Sequence, residues 1–265
     1  MAEGIPPSEE RNREPLCAKA GKVGRDAMTE SDGPILNLDQ VSLAYFDGDR
    51  TTYAVEEVTV EIPQREFVGI MGPSGSGKSS LLYLLSGLKR PTSGDVYFRG
   101  ERVSDLGDAQ LTAIRRANFG FVFQQPWLLS WQTALENAMM GCTQIDASAE
   151  ARTRDRLDRL GVGRLASKLP SQLSGGEKQR VCVARAMMNE PAVVFADEPT
   201  ASLDHRNGHL VIDLLAAYKE QGTVIIVTHD AEMLSAADRI LIMRDGKTVE
   251  WVTAGELNRI RTVQV

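Results

Sequence analysis

Residues 72–79 read GPSGSGKS. The apolar run 67–71 leads into this turn, and the stretch 78–86 follows it, with Leu81, Leu82, Leu84 and Leu85 giving a wide apolar helix face. The spacing satisfies G-x-x-x-x-G-K-[ST], and strand, glycine loop, helix is the context that gives this phosphate-binding pattern its meaning. Gly72, Gly75 and Gly77 permit backbone geometry closed to other residues, so successive N–H groups can point at phosphate oxygens. The helix N-terminus adds partial positive charge. Lys78 is placed to reach the β- and γ-phosphates, and the Ser79 hydroxyl to bind Mg²⁺.

A second apolar run, 192–196, ends in Asp197 and Glu198. A strand buried on both faces has no reason to end in adjacent carboxylates unless they face a cation or polarise a nucleophile. Asp197 is expected in the Mg²⁺ shell and Glu198 to accept a proton from the attacking water. Together with 223–228, the run 192–196 indicates a parallel sheet covered on both faces, with a helix at 208–219 between the two strands. At 173–177 the chain reads LSGGE before a helix expected over 178–188, a second anion-binding helix end.

The remaining pattern fills in around these motifs. Strands are expected at 35–38, 41–45 and 58–62, grouped with 67–71 as a largely antiparallel set because their connections are short. Further strands are expected at 95–98, 119–123, 239–244 and 248–252, with helices at 108–116 and 147–160. Residues 1–33 are polar and rich in Pro, Gly and mixed charge, and read as a flexible extension, with Met28 an alternative start to Met1. A composition of 42% apolar residues supports a sizeable core, and a net charge of -6 lacks the basic excess of a dedicated nucleic-acid binder. No apolar run has the length of a membrane span, and no secretory signal is read at the start. Cys17, Cys142 and Cys182 are too far apart for a CxxC pair and fit a reducing compartment. His205 and His209 are four apart, a spacing open to a metal, and are read as two exposed helix histidines.

GPSGSGKSS from Gly72, Gln124 in FVFQQ, LSGGEKQR from Leu173, ADEPTASLD from Ala196 and VTHD from Val227, in this order, resemble the ATP-binding cassette (ABC) ATPases over about 34–250. The resemblance implies a phosphate-loop α/β fold: a RecA-like parallel-sheet core, an antiparallel β-subdomain and an inserted α-helical subdomain at about 124–180, within a domain of 34–265. It implies an ATPase with ATP and Mg²⁺ as cofactors, a head-to-tail homodimer, and a separate integral-membrane permease subunit. Its location would be cytoplasmic, peripheral on the inner membrane face, with no nucleic acid partner. Each ATP would lie between Gly72, Pro73, Ser74, Gly75, Ser76, Gly77, Lys78, Ser79 and Ser80 of one chain and Ser174, Gly175 and Gly176 of the other. Tyr45 resembles the aromatic that stacks on adenine, beside Phe46 and Tyr53. Gln124 resembles the residue that touches Mg²⁺ and the attacking water, Asp204 the one that speaks across the dimer, and His229 the γ-phosphate switch. The catalytic set implied is Glu198, His229, Gln124 and Lys78; the metal set is Ser79, Gln124 and Asp197.

PTSG from Pro91 and IRRANFGFVFQ from Ile114, followed by Leu128 and Leu129, are similar to the ATPases of macrolide exporters, lipoprotein-release systems (LolD) and the cell-division complex containing FtsE. Departures are Glu177 for a frequent Gln, Arg65 at a usual turn glycine, and Pro126, Trp127 and Trp131 after the glutamine. Trp127, Leu128, Leu129 and Trp131 either cover a groove for the membrane subunit or fill the subdomain's own core. The function implied is powering export or extraction through the permease. The alternative is a non-transporting ATPase that regulates an extracytoplasmic process, as in the FtsE complex. A cassette acting on ribosomes or DNA is disfavoured, since there is one cassette and no sustained heptads.

Overall fold

The computed structural model describes residues 33–48 and 50–257. The extension expected at 1–33, apart from Gly33, the choice between Met1 and Met28, Cys17 and the last residues of the expected domain lie outside the described residues.

Two sheets carry the fold. The first is antiparallel, in the order β2-β1-β4-β5, formed by β1 (Leu36–Asp47), β2 (Arg50–Ile62), β4 (Ser93–Phe98) and β5 (Glu101–Arg102). The runs expected as two strands at 35–38 and 41–45 are one strand. The register against β2 shifts between Leu38 and Val41, where Gln40 has φ +47° and its N–H donates to Thr59 Oγ1 at 3.0 Å. This is a local bulge that kinks the strand without ending it.

The second sheet has the order β10-β9-β3-β8-β7-β6, with β3 (Phe67–Met71), β6 (Phe119–Val122), β7 (Val193–Asp197), β8 (Thr223–Val227), β9 (Arg239–Arg244) and β10 (Lys247–Val252). All neighbours pair in parallel except β10 on β9. The placing of 67–71 with the antiparallel strands is therefore corrected. β3 runs parallel between β8 and β9, because it feeds α1 (Lys78–Leu85) and not a hairpin.

Alternation along the central strands divides the core into two layers. Val193 and Phe195 of β7, Val68 and Ile70 of β3 and Ile225 and Val227 of β8 pack with Leu81, Leu82, Leu84 and Leu85 of α1 and with the antiparallel sheet. Val194, Ala196, Phe67, Val224 and Ile226 pack on the other face with Val183 of α5 (Gly175–Ala186) and Ile212 and Leu215 of α6 (His205–Ala217). Both faces of each strand are thus dry, which is why these segments read as unbroken apolar runs.

Between α2 (Asp108–Asn118) with the β6 that follows it and β7, the chain is helical, with α3 (Ala134–Met139), α4 (Ala149–Arg159) and α5. The helix α3 was not expected from sequence. Its N-cap Thr133 and Glu136 form a capping box, and Asn137, fully buried, donates to the carbonyl oxygens of Leu129, Gln132 and Thr133. These bonds fold the 129–133 turn onto the helix. Trp127 and Trp131 are 67% and 72% exposed, whereas Leu128 packs against the core, so the apolar cluster divides between surface and interior.

Candidate functional site

Four adjacent parallel strands bring their C-terminal ends to one edge of the sheet. The pairs Ile70↔Val227, Asp197↔Val227 and Val122↔Ala196 set those ends nearly level. What leaves three of them converges: the glycine loop after β3, Thr228 and His229 after β8, and Asp197 and Glu198 at β7, while Gln124 lies just past β6. A cleft of about 340 Å³ results, lined by Ala54, Ser74, Gly75, Gly77, Lys78, Ser79, Ser80, Glu198 and His229.

The loop is shaped by backbone that only glycine tolerates. Gly77 has φ +95°, and a Cβ there would fall 2.1 Å from the carbonyl oxygen of Ala54. Gly77 also caps α1, so the first free N–H groups of the helix open into the cleft. Lys78, buried, donates from Nζ to the carbonyls of Gly72 at 2.9 Å and Pro73 at 2.8 Å, which holds its charge beneath the loop.

Ser79 Oγ donates to Asp197 Oδ1 at 2.8 Å, and Tyr83 donates its phenol to Asp197 Oδ2 at 2.7 Å. Ser79 and Tyr83 are four apart on α1 and so share a face. Burial, then the hydrogen bond to the Asp197 carboxylate and its charge, push the Tyr83 phenol up to about 12. A hydroxyl and a carboxylate in contact are hard oxygen donors, the kind from which Mg²⁺ takes one or two ligands while keeping its waters. The donor set fits that ion.

Glu198 has φ +47°, a left-handed conformation that costs a non-glycine residue roughly 1–2 kcal/mol. The conformation is held by its N–H donating to the Val227 carbonyl at 2.9 Å. It aims the carboxylate at His229, whose Nδ1 lies 2.9 Å from Oε1 and 3.0 Å from Oε2. A mostly buried carboxylate held against an exposed imidazole at the mouth of a phosphate-shaped cleft can accept a proton from a water there.

The other expected residues lie apart from this cleft. Ser174 caps α5, which begins at Gly175, three residues earlier than the helix start read from sequence, so Gly175 and Gly176 form its first turn. The Glu177 carboxylate accepts from the Ser174 N–H at 2.8 Å, and these bonds hold it below the usual carboxylate range. The departure from Gln thus preserves a capping box that either residue can make. Asp204 caps α6, accepting from the Asn207 N–H at 2.9 Å and from its amide Nδ2 at 2.7 Å. Asn207 in turn accepts from Arg180 at 3.2 Å, tying α6 to α5. Tyr45, on the antiparallel sheet, is 45% exposed with the Lys89 ammonium over its ring, and does not line the cleft; Ala54 is the residue of that sheet that does. Gln124 is exposed and likewise outside the cleft lining. Sequence reading missed Tyr83 and Asn207, although the four-residue spacing from Ser79 was a signal for the former.

The chain matches the ABC transporter family model over residues 55–201. It is 42% identical over 226 residues to the macrolide export ATP-binding/permease protein MacB 1/2 of Paracoccus denitrificans, covering 84% of this chain and 34% of that protein. The chain therefore spans about a third of the length of the MacB relative. It is also 42% identical over 210 residues to an uncharacterized ABC transporter ATP-binding protein, MJ1508, of Methanocaldococcus jannaschii, covering 78% of this chain and 94% of that one. The dimeric structure of a post-hydrolysis state of the ATP-binding cassette MJ0796, from the same organism, bound to ADP and Pi, superposes with a TM-score of 0.77 at 37% identity, over 83% of this chain and 98% of that one. Because the family model spans more than half of the residues and holds the loop, Asp197 and Glu198 within it, the chain belongs to the ABC transporter family and is an ATP-binding cassette ATPase.

Proposed function

We propose that this cassette powers export or extraction by a separate integral-membrane permease subunit, two copies closing head to tail around ATP. The observation that carries the proposal is the separation, within one chain, of two anion-binding helix ends. One opens into the cleft with Lys78, Glu198 and His229; the other is the exposed, capped start of α5 at Ser174, which lines no part of that cleft. A second copy turned head to tail supplies what each cleft lacks.

In this reading Lys78 and the loop N–H groups hold the β- and γ-phosphates, Glu198 takes a proton from the attacking water, and His229 fixes the carboxylate while facing the γ-phosphate. Ser79 and Asp197 would hold Mg²⁺, which supplies charge neutralisation to the phosphates when bound. Phosphoryl transfer asks mainly for positioning and for charges already in place, and these residues are held by bonds formed within the fold. Gln124 would sense the reacting water from the end of β6. Beside it, Trp127 and Trp131 stand exposed, and a groove of about 470 Å³ runs past Phe121, Phe123, Met140 and Arg185. A mixed polar and aromatic groove with Arg116 and Arg185 in its lining, and two exposed tryptophans on the neighbouring turn, suits a permease helix. No helix among the described residues is long and apolar enough to cross a membrane, so the translocation path would belong to that partner.

The test is to purify the Glu198→Gln protein with ATP from membranes of its own cell in mild detergent. The expected result is an ATP-dependent dimer bound to a subunit with few spans and a large extracytoplasmic part. A monomer at saturating ATP, or recovery with ribosomes or nucleic acid and no membrane protein, would overturn the proposal.

A further inference from the structure

His205 and His209 occupy the first two turns of α6, four residues apart, and so lie on one face. Glu232 comes from another segment, the short 3-10 turn Ala231–Leu234 that follows His229 and is anchored by buried Ala231, Met233 and Leu234. Asp230 accepts the Glu232 N–H at 2.9 Å, which turns the Glu232 side chain outward toward α6. His205 Nε2 lies 3.1 Å from Glu232 Oε2 and 3.1 Å from His209 Nε2. Ligand atoms of all three lie within 4.8 Å of one another.

Hydrogen bonding alone leaves this arrangement incomplete. An imidazole nitrogen has one in-plane lobe, either an N–H or a lone pair, so His205 Nε2 cannot make a full bond to both neighbours at once. A cation at the point where the three atoms converge satisfies all of them. With metal–nitrogen bonds of about 2.0–2.1 Å, a tetrahedral site has ligand–ligand edges of roughly 3.3 Å, close to the two short separations here. A small rotation of the exposed Glu232 side chain closes the third edge. Two imidazoles and one carboxylate are a donor set for zinc and its late-transition-metal neighbours, with a fourth position left to water. The positive end of α6 opposes a cation, but Asp204, Asp230 and Glu198 line the adjoining cleft of about 260 Å³ beside His205 and supply compensating charge.

We propose that His205, His209 and Glu232 form a binding site for a divalent late-transition-metal ion of the zinc class, distinct from the phosphate cleft. The ion bridges the start of α6, directly after Asp204, to the segment directly after His229. Occupancy therefore ties together two stretches of chain that flank residues of the nucleotide site. The site stands independently of the transport reading.

Zinc is titrated into the nucleotide-free full chain against a chromophoric chelator, for the wild type, His209→Ala and Glu232→Ala, with circular dichroism checking that each variant is folded. The expected result is one Zn²⁺ per chain whose affinity falls at least tenfold in each variant. Co²⁺ in place of zinc should give the visible absorption bands of a four-coordinate site in the wild type, lost in both variants. Absence of zinc binding, equal binding by His209→Ala, or a loss confined to His209→Ala with Glu232→Ala binding as the wild type does would each overturn the proposal, because the site needs both segments.

Discussion

His229 Nδ1 stands within hydrogen-bond distance of both carboxylate oxygens of Glu198, at 2.9 and 3.0 Å, across the neighbouring ends of β8 and β7. The contact exists because Glu198 accepts a left-handed backbone, φ +47°, immediately after the last strand residue. An ordinary extended residue at this position would continue the strand's alternation and turn its side chain to the face of the sheet opposite Asp197. Strain and contact belong together, as expected where a reacting group is held in advance.

Glu198→Gln keeps the shape and the hydrogen bond but removes the proton acceptor. Turnover of ATP should fall by roughly 10²–10⁴-fold, the range for loss of a positioned general base, while ATP binding persists. Steady-state phosphate release and equilibrium binding of a fluorescent ATP analogue check the two halves. Turnover at the wild-type rate would remove Glu198 from the role of base.

Lys78→Ala takes the buried ammonium away from the phosphate site and leaves that charge to the loop's backbone dipoles and to the Mg²⁺ that Ser79 and Asp197 would hold. A hydrogen bond to a charged group contributes about 1.5–3 kcal/mol, so nucleotide affinity should fall roughly 10–100-fold. The same variant frees the carbonyls of Gly72 and Pro73 from their ammonium, and the loop should become more accessible to hydrogen exchange. Unchanged affinity for ATP would count against the loop as the phosphate site.

Most of the site within one chain is legible in the sequence, because a parallel sheet delivers each strand's next residues to one edge. The loop, Asp197, Glu198 and His229 each follow directly on an apolar run, and the run marks where the edge is. Tyr83 is harder to see: on α1 it sits among leucines, and only its four-residue spacing from Ser79 hints that its hydroxyl shares that face and reaches Asp197. Parts of β2, α5 and α6 escape for other reasons. The first residues of β2, Arg50 to Tyr53, are exposed, so no burial pattern betrays a strand that exists by its pairing with β1. The starts of α5 and α6 hold glycine, histidine and asparagine, poor helix formers, and capping by Ser174 and Asp204 outweighs them.

Tyr83→Phe tests the hidden partner through pH. The phenol's folded-state pKa is raised from 10.0 to about 12, so the folded chain holds this proton more tightly than the unfolded chain. The stabilisation is complete below pH 10 and is lost as pH rises toward 12. Chemical denaturation of the wild type should show a decline in that window that is smaller in Tyr83→Phe. Equal slopes for the two proteins would show that the phenol is not coupled to folding. At neutral pH the variant leaves Asp197 with Ser79 alone, and the Mg²⁺ concentration for half-maximal ATPase should rise.

Arg65 departs from the glycine usual at this turn, yet the turn still demands what glycine offers. Its φ is +55°, and its N–H donates to Thr223 Oγ1 at 2.9 Å, fixing the entry to β3 beside β8. A non-glycine residue in this region is strained by roughly 1–2 kcal/mol. Glycine removes that strain but gives up about 0.5–1 kcal/mol through the greater freedom of the unfolded chain. Arg65→Gly should therefore stabilise the fold by about 0.5–1 kcal/mol and raise Tm by a few degrees, with ATPase activity unchanged because the turn lies at the opposite end of β3 from the cleft. Arg65→Ala keeps the strained backbone without the long side chain and should show no such gain. If alanine stabilised as much as glycine, the arginine side chain and not its backbone would be the source of the strain.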